Sequence, residues 1–558
     1  MNEEELRLEA KKRAKNFLEN EKSYQLGFLE AEQSNPLTVG LGEAAREEPE
    51  RAVRMLLSVD RALADTFEKC TRHCDYLQFV RRVEKTLRNG GRVIFSGCGA
   101  TGRLALNIEA SWRRALSEVG TPHAKDLADQ VITVFTGGDF ALIKSVENFE
   151  DYDVLGMEQI RELDLCEKDL LVGITATAET TSVIGTANAA IEAGASVEMI
   201  VCSNPAFVCE RLERVRSCFA FLNVHCVYLP CGAMAVTGST RMQSSTIEQL
   251  VCAAALQEAM RAILADDGME LAPVDYAAAF SALTDTLMSD KAVAAIAAQA
   301  VLEADTYAAD GRITYFADEY LIDILADTTE RTPTFMVPPF APTGSESAKG
   351  CWTFIKNPLC GTEEAWRRGL GHEPRCISWP LEKYKALGTP VEKVPAIAYE
   401  DLMGYKIGCE RDILRETHRL SRAVWIDTKK SGSEFYSAAA GYELKASFTL
   451  EEMGVECVPT PMHILEHLAV KLVMNTVSTV CMGHLGRLTS NFMTWVSLSN
   501  KKLLDRSARL IAQECGIGYS EALEELYYTE LLHGEARDED FGSYSPCRTT
   551  ILRVRGEK

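Results

Sequence analysis

Short apolar runs alternate with helical stretches over the middle of the chain, and this alternation restricts the fold more than any other feature. The first runs are rich in Val and Ile: Arg92–Gly97, Val131–Thr136, Leu170–Thr175, Val197–Cys202 and Cys226–Pro230. Such runs are typical of strands that are buried on both faces of a parallel sheet. Helical stretches such as Leu104–Glu118 and Thr181–Ala193 separate several of them. The alternation predicts a doubly wound α/β sheet.

The same pattern restarts after a helical stretch that extends from Ser244 to about Ala308. The second set of candidate strands comprises Arg312–Ala317, Cys376–Pro380, Val394–Tyr399, Arg422–Thr428 and Val455–Pro461. Because GGRVIFSG and DGRITYFA are weakly similar, we interpret the second set as a degenerate copy of the first sheet. The predicted units are an N-terminal helical segment (1–85), a first sheet domain (86–265), a second sheet domain (266–485) and a C-terminal helical cap (486–558).

The charge balance limits the classes of partner. The chain has 59 basic and 81 acidic residues, which gives a formal net charge of −22. This excess argues against a nucleic-acid surface or a polybasic membrane contact, but it leaves room for a local basic pocket. The charged N-terminus lacks the apolar core of a secretion signal, and the stretch Ala292–Leu302 is too short to span a bilayer. We therefore expect a cytoplasmic protein without nucleic-acid or membrane partners.

The cysteines favour neither disulfides nor a metal site. The chain has 18 of them, but its length and the absence of an export signal indicate reduced thiols. No CxxC occurs, and the one tight cluster, Cys70, His73 and Cys74, has no second ligand pair at a zinc spacing. We expect neither a metal nor another cofactor.

A glycine-rich turn, Gly97–Gly102, follows the first strand and precedes a helix. Glycines permit a tight turn that exposes amide N–H groups at a helix N-terminus, and Thr101 adds a hydroxyl donor. The spacing is GxGxxG, so a phosphate loop, a dinucleotide loop and a plain tight turn all fit it. The second strand does not end in an acidic residue placed for a ribose, which counts against a dinucleotide.

A second hydroxyl-rich loop follows the third strand and contains Thr175, Thr177 and Thr180. One such loop is also explained as a helix N-cap. Two loops at the carboxyl ends of different parallel strands face one crevice, which favours a phosphate site. A third loop, Val236–Thr246, contains Arg241, which either contacts an anion or braces its neighbours; we favour bracing.

Several separated motifs, in the right order, resemble a known family. They are the glycine turn with its strand (GRVIFSGCGATGRL), Gly137–Asp139, Val146–Asp151, VTGSTRM, Lys471–Thr479, Asn491 and Asn500–Leu503. Together they are similar to the sugar isomerase (SIS) domain and closing helical region of the N-acetylmuramic acid 6-phosphate etherase and glucokinase regulatory protein group. Two such domains and a helical cap resemble the regulatory protein more than the etherase, which has one SIS domain per chain and pairs as a dimer.

The resemblance implies roles for individual loop positions. Those that match phosphate- and sugar-contacting positions are Gly99, Thr101, Thr175 and Thr177, with Thr180 and Arg241 as neighbouring candidates. Lys471 matches a lysine that reaches the sugar phosphate in the regulatory protein; otherwise it is a lysine whose stem lies along an apolar surface. Two departures bear on this assignment, because Ala100 replaces a hydroxyl residue and Glu179 lies inside the second loop, where a carboxylate repels phosphate unless it points away.

The resemblance also implies two functional carboxylates. Glu150 matches a family glutamate linked with acid–base chemistry or with a sugar hydroxyl. The other family glutamate is replaced by Ser111 in the first copy, whereas Glu330 fills the position in the second copy. The alternative for Glu150 and Glu330 is a solvated or ion-paired surface carboxylate.

These observations lead to one preferred function and two alternatives. The preferred function is sugar-phosphate binding between two SIS domains, with a phosphorylated sugar or amino sugar as ligand and a sugar kinase as a possible protein partner. The first alternative is a lyase of the etherase type or a sugar-phosphate isomerase that uses Glu150 and Glu330 as acid and base. The second is a nucleotide-binding protein. Because a second copy buries the face that single-domain relatives bury in a dimer, we expect a monomer.

Overall fold

The computed structural model describes residues 2–146, 149–389, 396–534 and 541–557. These residues form two parallel sheets and a short antiparallel hairpin. The first sheet contains β1 (Val93–Gly97), β2 (Val131–Phe135), β3 (Leu170–Ile174), β4 (Ser196–Val201) and β5 (Val224–Tyr228). The second sheet contains β6 (Arg312–Phe316), β7 (Thr353–Lys356), β8 (Ser421–Asp427) and β9 (Leu444–Thr449). The hairpin consists of β10 (Leu488–Thr489) and β11 (Phe492–Met493).

The strand order shows that the second sheet repeats the first. The first sheet has the order β2-β1-β3-β4-β5, and the second has β7-β6-β8-β9, so that β6 takes the place of β1. All pairs in both sheets are parallel. The predicted α/β fold with two tandem doubly wound sheets is therefore confirmed.

The helices connect and cover the strands. Those before the second sheet are α1 (Glu3–Asn20), α2 (Leu41–Glu47), α3 (Pro49–Thr71), α4 (Cys74–Arg88), α5 (Ala100–Val119), α6 (Pro122–Ala128), α7 (Asp153–Arg161), α8 (Thr181–Glu192), α9 (Pro205–Arg211), α10 (Glu213–Phe219), α11 (Gln243–Asp266), α12 (Tyr276–Leu287) and α13 (Asp290–Ala308). Those after β6 are α14 (Leu321–Phe335), α15 (Thr362–Leu370), α16 (Leu381–Ala386), α17 (Tyr399–Met403), α18 (Ile413–Glu416), α19 (Ser433–Ala438), α20 (Leu450–Met453), α21 (Ile464–His484), α22 (Lys501–Cys515), α23 (Tyr519–His533) and α24 (Pro546–Arg555).

Two strands predicted for the second sheet are wrong. Cys376–Pro380 is irregular, because the chain just before it bonds to a loop of the first sheet unit rather than to a strand. Val455–Pro461 is the irregular link between α20 and α21. Of the third candidate, Val394–Tyr399, residues 394–395 lie outside the described residues, and residues 396–399 lead into α17 without strand pairing. The sheet is completed instead by β7 and β9, which the apolar pattern did not predict.

Helix α21 connects the two sheet units. It packs against α13 and α14 of the second unit and against α2, α3 and α11. One contiguous hydrophobic core includes Phe95 of the first sheet, Ile313 of the second sheet and Val477 of α21. Within the described residues, α21 is the helix that is long and apolar enough to cross a membrane, but 89% of its most apolar window is buried inside the protein.

The two ends of the chain meet in a helical cap. Helix α1 packs against α23, and α22 packs against both α23 and α24. Their shared apolar cluster includes Phe17 of α1, Leu523 of α23 and Ile551 of α24. The boundaries of the four predicted units stay a prediction, although α1 belongs with the C-terminal helices by its contacts.

Two glycines allow α7 and α8 to approach closely beside the crevice of the first sheet. A Cβ atom on Gly156 would lie 2.1 Å from the carbonyl oxygen of Ser182, and one on Gly185 would lie 2.1 Å from that of Asp153. The N–H of Ser182 also donates to the carbonyl of Glu150 at 3.1 Å. The helix contact therefore fixes the backbone of Glu150 beside the threonine-rich loop.

We expect Gly156→Ala to destabilise the protein by about 1–3 kcal/mol, because the added methyl group overlaps backbone that cannot move freely. The measurement is the midpoint of chemical or thermal unfolding. Gly350→Ala is the matched control, since no atom lies within 4 Å of a Cβ at that position. Equal midpoints for the two variants would contradict the close helix contact.

Candidate functional site

A cleft opens at the carboxyl ends of β1 and β3, where the strand order of the first sheet reverses. Such switch points are the usual ligand sites of open parallel sheets. The cleft has an empty volume of about 870 Å³, part of which is open to solvent. It is formed by the glycine turn, the threonine-rich loop, the loop after β2, α14 of the second unit and the start of α22. Its charged and hydroxyl or amide lining includes Thr101, Arg103, Thr136, Ser145, Glu150, Thr177, Thr180, Ser239, Thr240, Arg241, Glu330, Thr334, Asn500, Lys502 and Arg506.

The glycine turn needs its glycines. Gly99 has φ of +56°, and a Cβ on Gly97 would lie 2.5 Å from the backbone of Thr101. The Thr101 hydroxyl accepts from the N–H of Cys98 at 3.0 Å and donates to the carbonyl of Cys98 at 2.9 Å. Gly99 and Thr101 line the cleft, and the Thr101 hydroxyl also holds the turn in shape.

The threonine-rich loop contributes two of its three predicted residues to the cleft lining. Thr177 and Thr180 line the cleft, whereas Thr175 is buried behind them and its hydroxyl lies 3.0 Å from that of Thr180. Glu179 is buried and turned towards Arg214, whose Nη2 donates to its carboxylate at 2.7 Å. The carboxylate inside this loop is therefore neutralised by a cation and is not part of the cleft lining.

Glu330 places a carboxylate of the second unit over the glycine turn of the first. Its Oε1 lies 3.9 Å from the position of a Cβ on Gly99. The same oxygen accepts from Nη1 of Arg103, and Nη2 of Arg103 donates to the carbonyl of Ala141 at 2.8 Å. Arg103 is almost fully buried, so its guanidinium connects the glycine turn, the loop after β2 and α14.

Glu150, which precedes α7 in the chain, lines the same cleft. Its carboxylate accepts from Nζ of Lys502 and, at 3.2 Å, from Nδ2 of Asn500, which caps the start of α22. Burial alone would lower the pKa of Lys502, but the carboxylates of Glu150 and Glu179 raise it well above its usual value. Lys502 is therefore a permanent cation in the cleft wall.

The two remaining predicted residues differ in position. Arg241 lines the cleft and is braced from behind, because its guanidinium donates to Asp327 at 2.8 Å and to Thr479 at 2.7 Å. Lys471 lies in an adjacent inner cavity that shares Ala100, Arg103, Arg241 and Glu330 with the cleft. Its Nζ donates to Thr246 at 2.8 Å, and burial lowers its pKa to about 8.

Arg506 adds a further cation, which the N-terminal segment holds in place. Its Nε and Nη2 donate to both carboxylate oxygens of Glu32, at 2.9 and 2.6 Å, and Arg509 donates to Glu32 at 2.7 Å. Burial would raise the pKa of Glu32, but the two arginines hold it well below its usual range.

The cluster Cys70, His73 and Cys74, where the sequence predicts no metal site, lies outside the cleft lining. Among the described residues, His73, Cys74 and Asp75 are the group whose ligand atoms lie within 4.8 Å of one another. They are at the start of α4, where His73 Nδ1 accepts from the N–H of Asp75. Cys70 instead contacts the carbonyl of Tyr228. The geometry of the cluster is thus that of a helix cap.

Sequence reasoning missed three of the cations that line the cleft: Arg103, Lys502 and Arg506. Arg103 directly follows the glycine turn, and Lys502 lies in the Asn500–Leu503 motif that contributed to the family resemblance. The two motifs therefore pointed to the positions of both cations. Arg506, one helical turn after Lys502 in α22, could have been found from that spacing.

Comparison with known proteins places the chain in a family. A family model described as the glucokinase regulatory protein N-terminal SIS domain matches residues 76–191. The N-acetylmuramic acid 6-phosphate etherase of Serratia proteamaculans (strain 568) is 32% identical over 226 residues, which cover 40% of this chain and 68% of the relative. The chain belongs to the SIS-domain family of N-acetylmuramic acid 6-phosphate etherase. The etherase of Bacillus thuringiensis subsp. konkukian (strain 97-27) is also 32% identical, over 224 residues and with the same coverage.

Two solved structures have a partial likeness to this chain. Tagatose-6-phosphate ketose/aldose isomerase from Escherichia coli has a TM-score of 0.41 at 12% identity, over 80% of this chain and 94% of that chain. The C-terminal domain of glucosamine-fructose-6-phosphate aminotransferase from Francisella tularensis has a TM-score of 0.42 at 10% identity, over 78% and 96%. Neither score supports an inference about activity.

We expect the attachment of Arg506 to depend on pH. Because the pKa of Glu32 is lowered in the folded state, Glu32 stabilises that state above the usual glutamate pKa of about 4.3 and loses this contribution as the pH falls below it. Glu32→Gln should therefore lower the unfolding midpoint at pH 7 and flatten its decline in acid. The exposed Glu30→Gln is the control, and an equal decline in wild type and Glu32→Gln would disprove the prediction.

Proposed function

We propose that this SIS-domain protein binds a phosphorylated sugar or amino sugar in the cleft and acts as a sensor or regulator of the glucokinase regulatory protein type. The observation that carries the proposal is the charge of the cleft lining. Four of its described side chains are basic (Arg103, Arg241, Lys502 and Arg506), against the two carboxylates Glu150 and Glu330. In a chain of net charge −22, such a concentration of positive charge favours a small anion.

The proposed binding mode divides the ligand between two parts of the cleft. The phosphate lies between the glycine turn and the threonine-rich loop, where Lys502 and the hydroxyl of Thr180 offer donors, whereas the Thr177 hydroxyl already donates to Glu179 at 3.2 Å. The sugar lies towards Glu330, since a carboxylate accepts hydrogen bonds from hydroxyl groups but repels phosphate. Residues of both sheets thus contribute to one site, which is the arrangement that the sequence predicts for two tandem SIS domains.

The two lysines distinguish the cleft from the inner cavity. We expect Lys502→Met to weaken binding of a hexose 6-phosphate about tenfold or more, because a hydrogen bond to a charged group contributes about 1.5–3 kcal/mol. Lys471→Met is the matched variant and should have a smaller effect, since Lys471 does not line the cleft. Isothermal titration calorimetry with the sugar phosphate and with the unphosphorylated sugar measures both. If Lys471→Met has the larger effect, the phosphate belongs in the inner cavity.

A lyase of the etherase type is the second candidate, favoured by the etherase relatives and by the two carboxylates in one cleft. In this candidate Glu150 and Glu330 divide the roles of acid and base. Against it, each carboxylate is held by a cation, and Ser111, at the position of the other family glutamate, is buried outside the cleft lining. An isomerase would use the same residues.

An ether-cleavage assay on a sugar phosphate with a 3-O-ether substituent tests the enzyme candidate. Turnover by wild type that falls about a hundredfold or more in Glu150→Gln, with binding retained, would establish the lyase and replace the regulator proposal. Binding of the sugar phosphate without ether cleavage supports the regulator proposal. The regulator proposal also states that the protein is a monomer in solution, which light scattering tests. It names a sugar kinase as the class of protein partner.

A further inference from the structure

A segment of the second sheet unit, residues 371–377, crosses onto the first sheet unit; we call it the crossing segment. It contacts the loop after β2, which contains Gly138 and Asp139. The N–H of Asp139 donates to the carbonyl of Arg375 at 3.0 Å, and the N–H of Arg375 donates to the Asp139 carboxylate at 2.7 Å. A Cβ on Gly138 would lie 2.9 Å from the carbonyl oxygen of Arg375. The two backbones therefore approach more closely than a side chain at residue 138 would permit.

The Arg375 side chain makes a second connection, to Glu109 of α5. Its Nη1 and Nη2 donate to the two carboxylate oxygens at 3.0 and 2.7 Å. Glu109 is fully buried and also accepts from the N–H of Thr133 at 2.7 Å and from Nε of Arg113 at 2.8 Å. A bidentate charge-assisted pair fixes orientation as well as distance. The crossing segment is thus attached to both the loop after β2 and helix α5 of the first unit.

The loop held by this attachment continues into the cleft wall. After the turn Asp139–Leu142, the loop reaches Ser145 and Val146, which line the cleft. Two further contacts hold its middle: Arg103 donates to the carbonyl of Ala141, and Thr329 of α14 donates to that of Leu142 at 2.8 Å. The start of the loop is the part that the crossing segment holds.

We propose that Asp139 and Arg375 are positioning residues: the crossing segment fixes the start of the loop after β2 and thereby holds the cleft wall at Ser145 and Val146 in its ligand-binding position. Neither Asp139 nor Arg375 lines the cleft, so both act through the loop rather than on the ligand. The effect on affinity rests on the proposed function, whereas the effect on the loop does not.

Hydrogen–deuterium exchange of the full chain tests the attachment directly. Arg375→Met removes the pair with Glu109 from the side of the second unit, and Asp139→Ala removes the acceptor of the Arg375 N–H. Arg113→Met is the matched control, because it removes an arginine from the same carboxylate but belongs to the first unit and donates to Glu109, Asp129 and Val131 rather than to the crossing segment. Methionine keeps the apolar stem that lies beside Gly371. We expect exchange of peptides within residues 139–146 to accelerate about tenfold in Arg375→Met and to change less than about twofold in Arg113→Met.

Affinity provides the second readout. We expect Arg375→Met to weaken binding of a hexose 6-phosphate about fivefold, with Arg113→Met close to wild type. Unchanged exchange and unchanged affinity in Arg375→Met would overturn the proposal, as would equal changes in Arg113→Met. If the wild-type protein binds no sugar phosphate, the proposed function fails. The hydrogen–deuterium exchange of residues 139–146 still tests whether the crossing segment holds the loop. Should Asp139→Ala not fold, Arg375→Met alone decides, since its side chain is 34% exposed and its backbone contacts persist.

Discussion

The ion pair between the buried Arg103 and Glu330, whose side chain is 12% exposed, joins the two sheet units at the place where the cleft forms. Arg103 directly follows the glycine turn of the first sheet, and Glu330 lies in the helix after β6, the counterpart of β1. Removing one member of a buried pair leaves an uncompensated charge, which is strongly destabilising. The two units must therefore keep the relative position that brings this carboxylate over the turn. The position of α14 over the glycine turn depends on this constraint, and so does the cleft that both units line.

The electrostatics of the cleft follow from the same arrangement. Each carboxylate in the cleft has a cation partner, and Arg241 and Arg506 add further positive charge. The cations themselves are held from behind by acidic residues: Asp327 holds Arg241, and Glu32 holds Arg506. A small basic site can thus exist in a strongly acidic chain, because the supporting carboxylates fix the cations without lining the cleft.

The sequence predicted the first sheet well, because its strands are buried on both faces and read as apolar runs. It failed for β7 and β9. The four-residue β7 is too short for a clear run, and β9 begins with exposed residues such as Leu444. It also assigned Cys376–Pro380 to a strand, since residues extended against another unit have the same local pattern as residues in a sheet.

The lining of the candidate site could be predicted from the sequence where local motifs contain its residues. The glycine turn, the threonine-rich loop, Glu150 and Glu330 all came from motifs, and all but Thr175 of these predicted residues line the cleft. Which of the two lysines lines the cleft depends on how helices α21 and α22 pack. Lys471 of α21 lies in the adjacent inner cavity, whereas Lys502 of α22 lines the cleft. Long-range packing of this kind leaves no short-range signal in the sequence. The attachment of residues 371–377 to Asp139 was unpredictable for the same reason.

A crystal structure of the protein with a hexose 6-phosphate tests the central claim most directly, namely that both sheet units form one ligand site. The account predicts phosphate density between the glycine turn and the threonine-rich loop, within hydrogen-bond distance of Lys502, and a sugar hydroxyl within hydrogen-bond distance of Glu330. Ligand density that contacts residues of one sheet unit alone, or that lies outside the cleft, would contradict it.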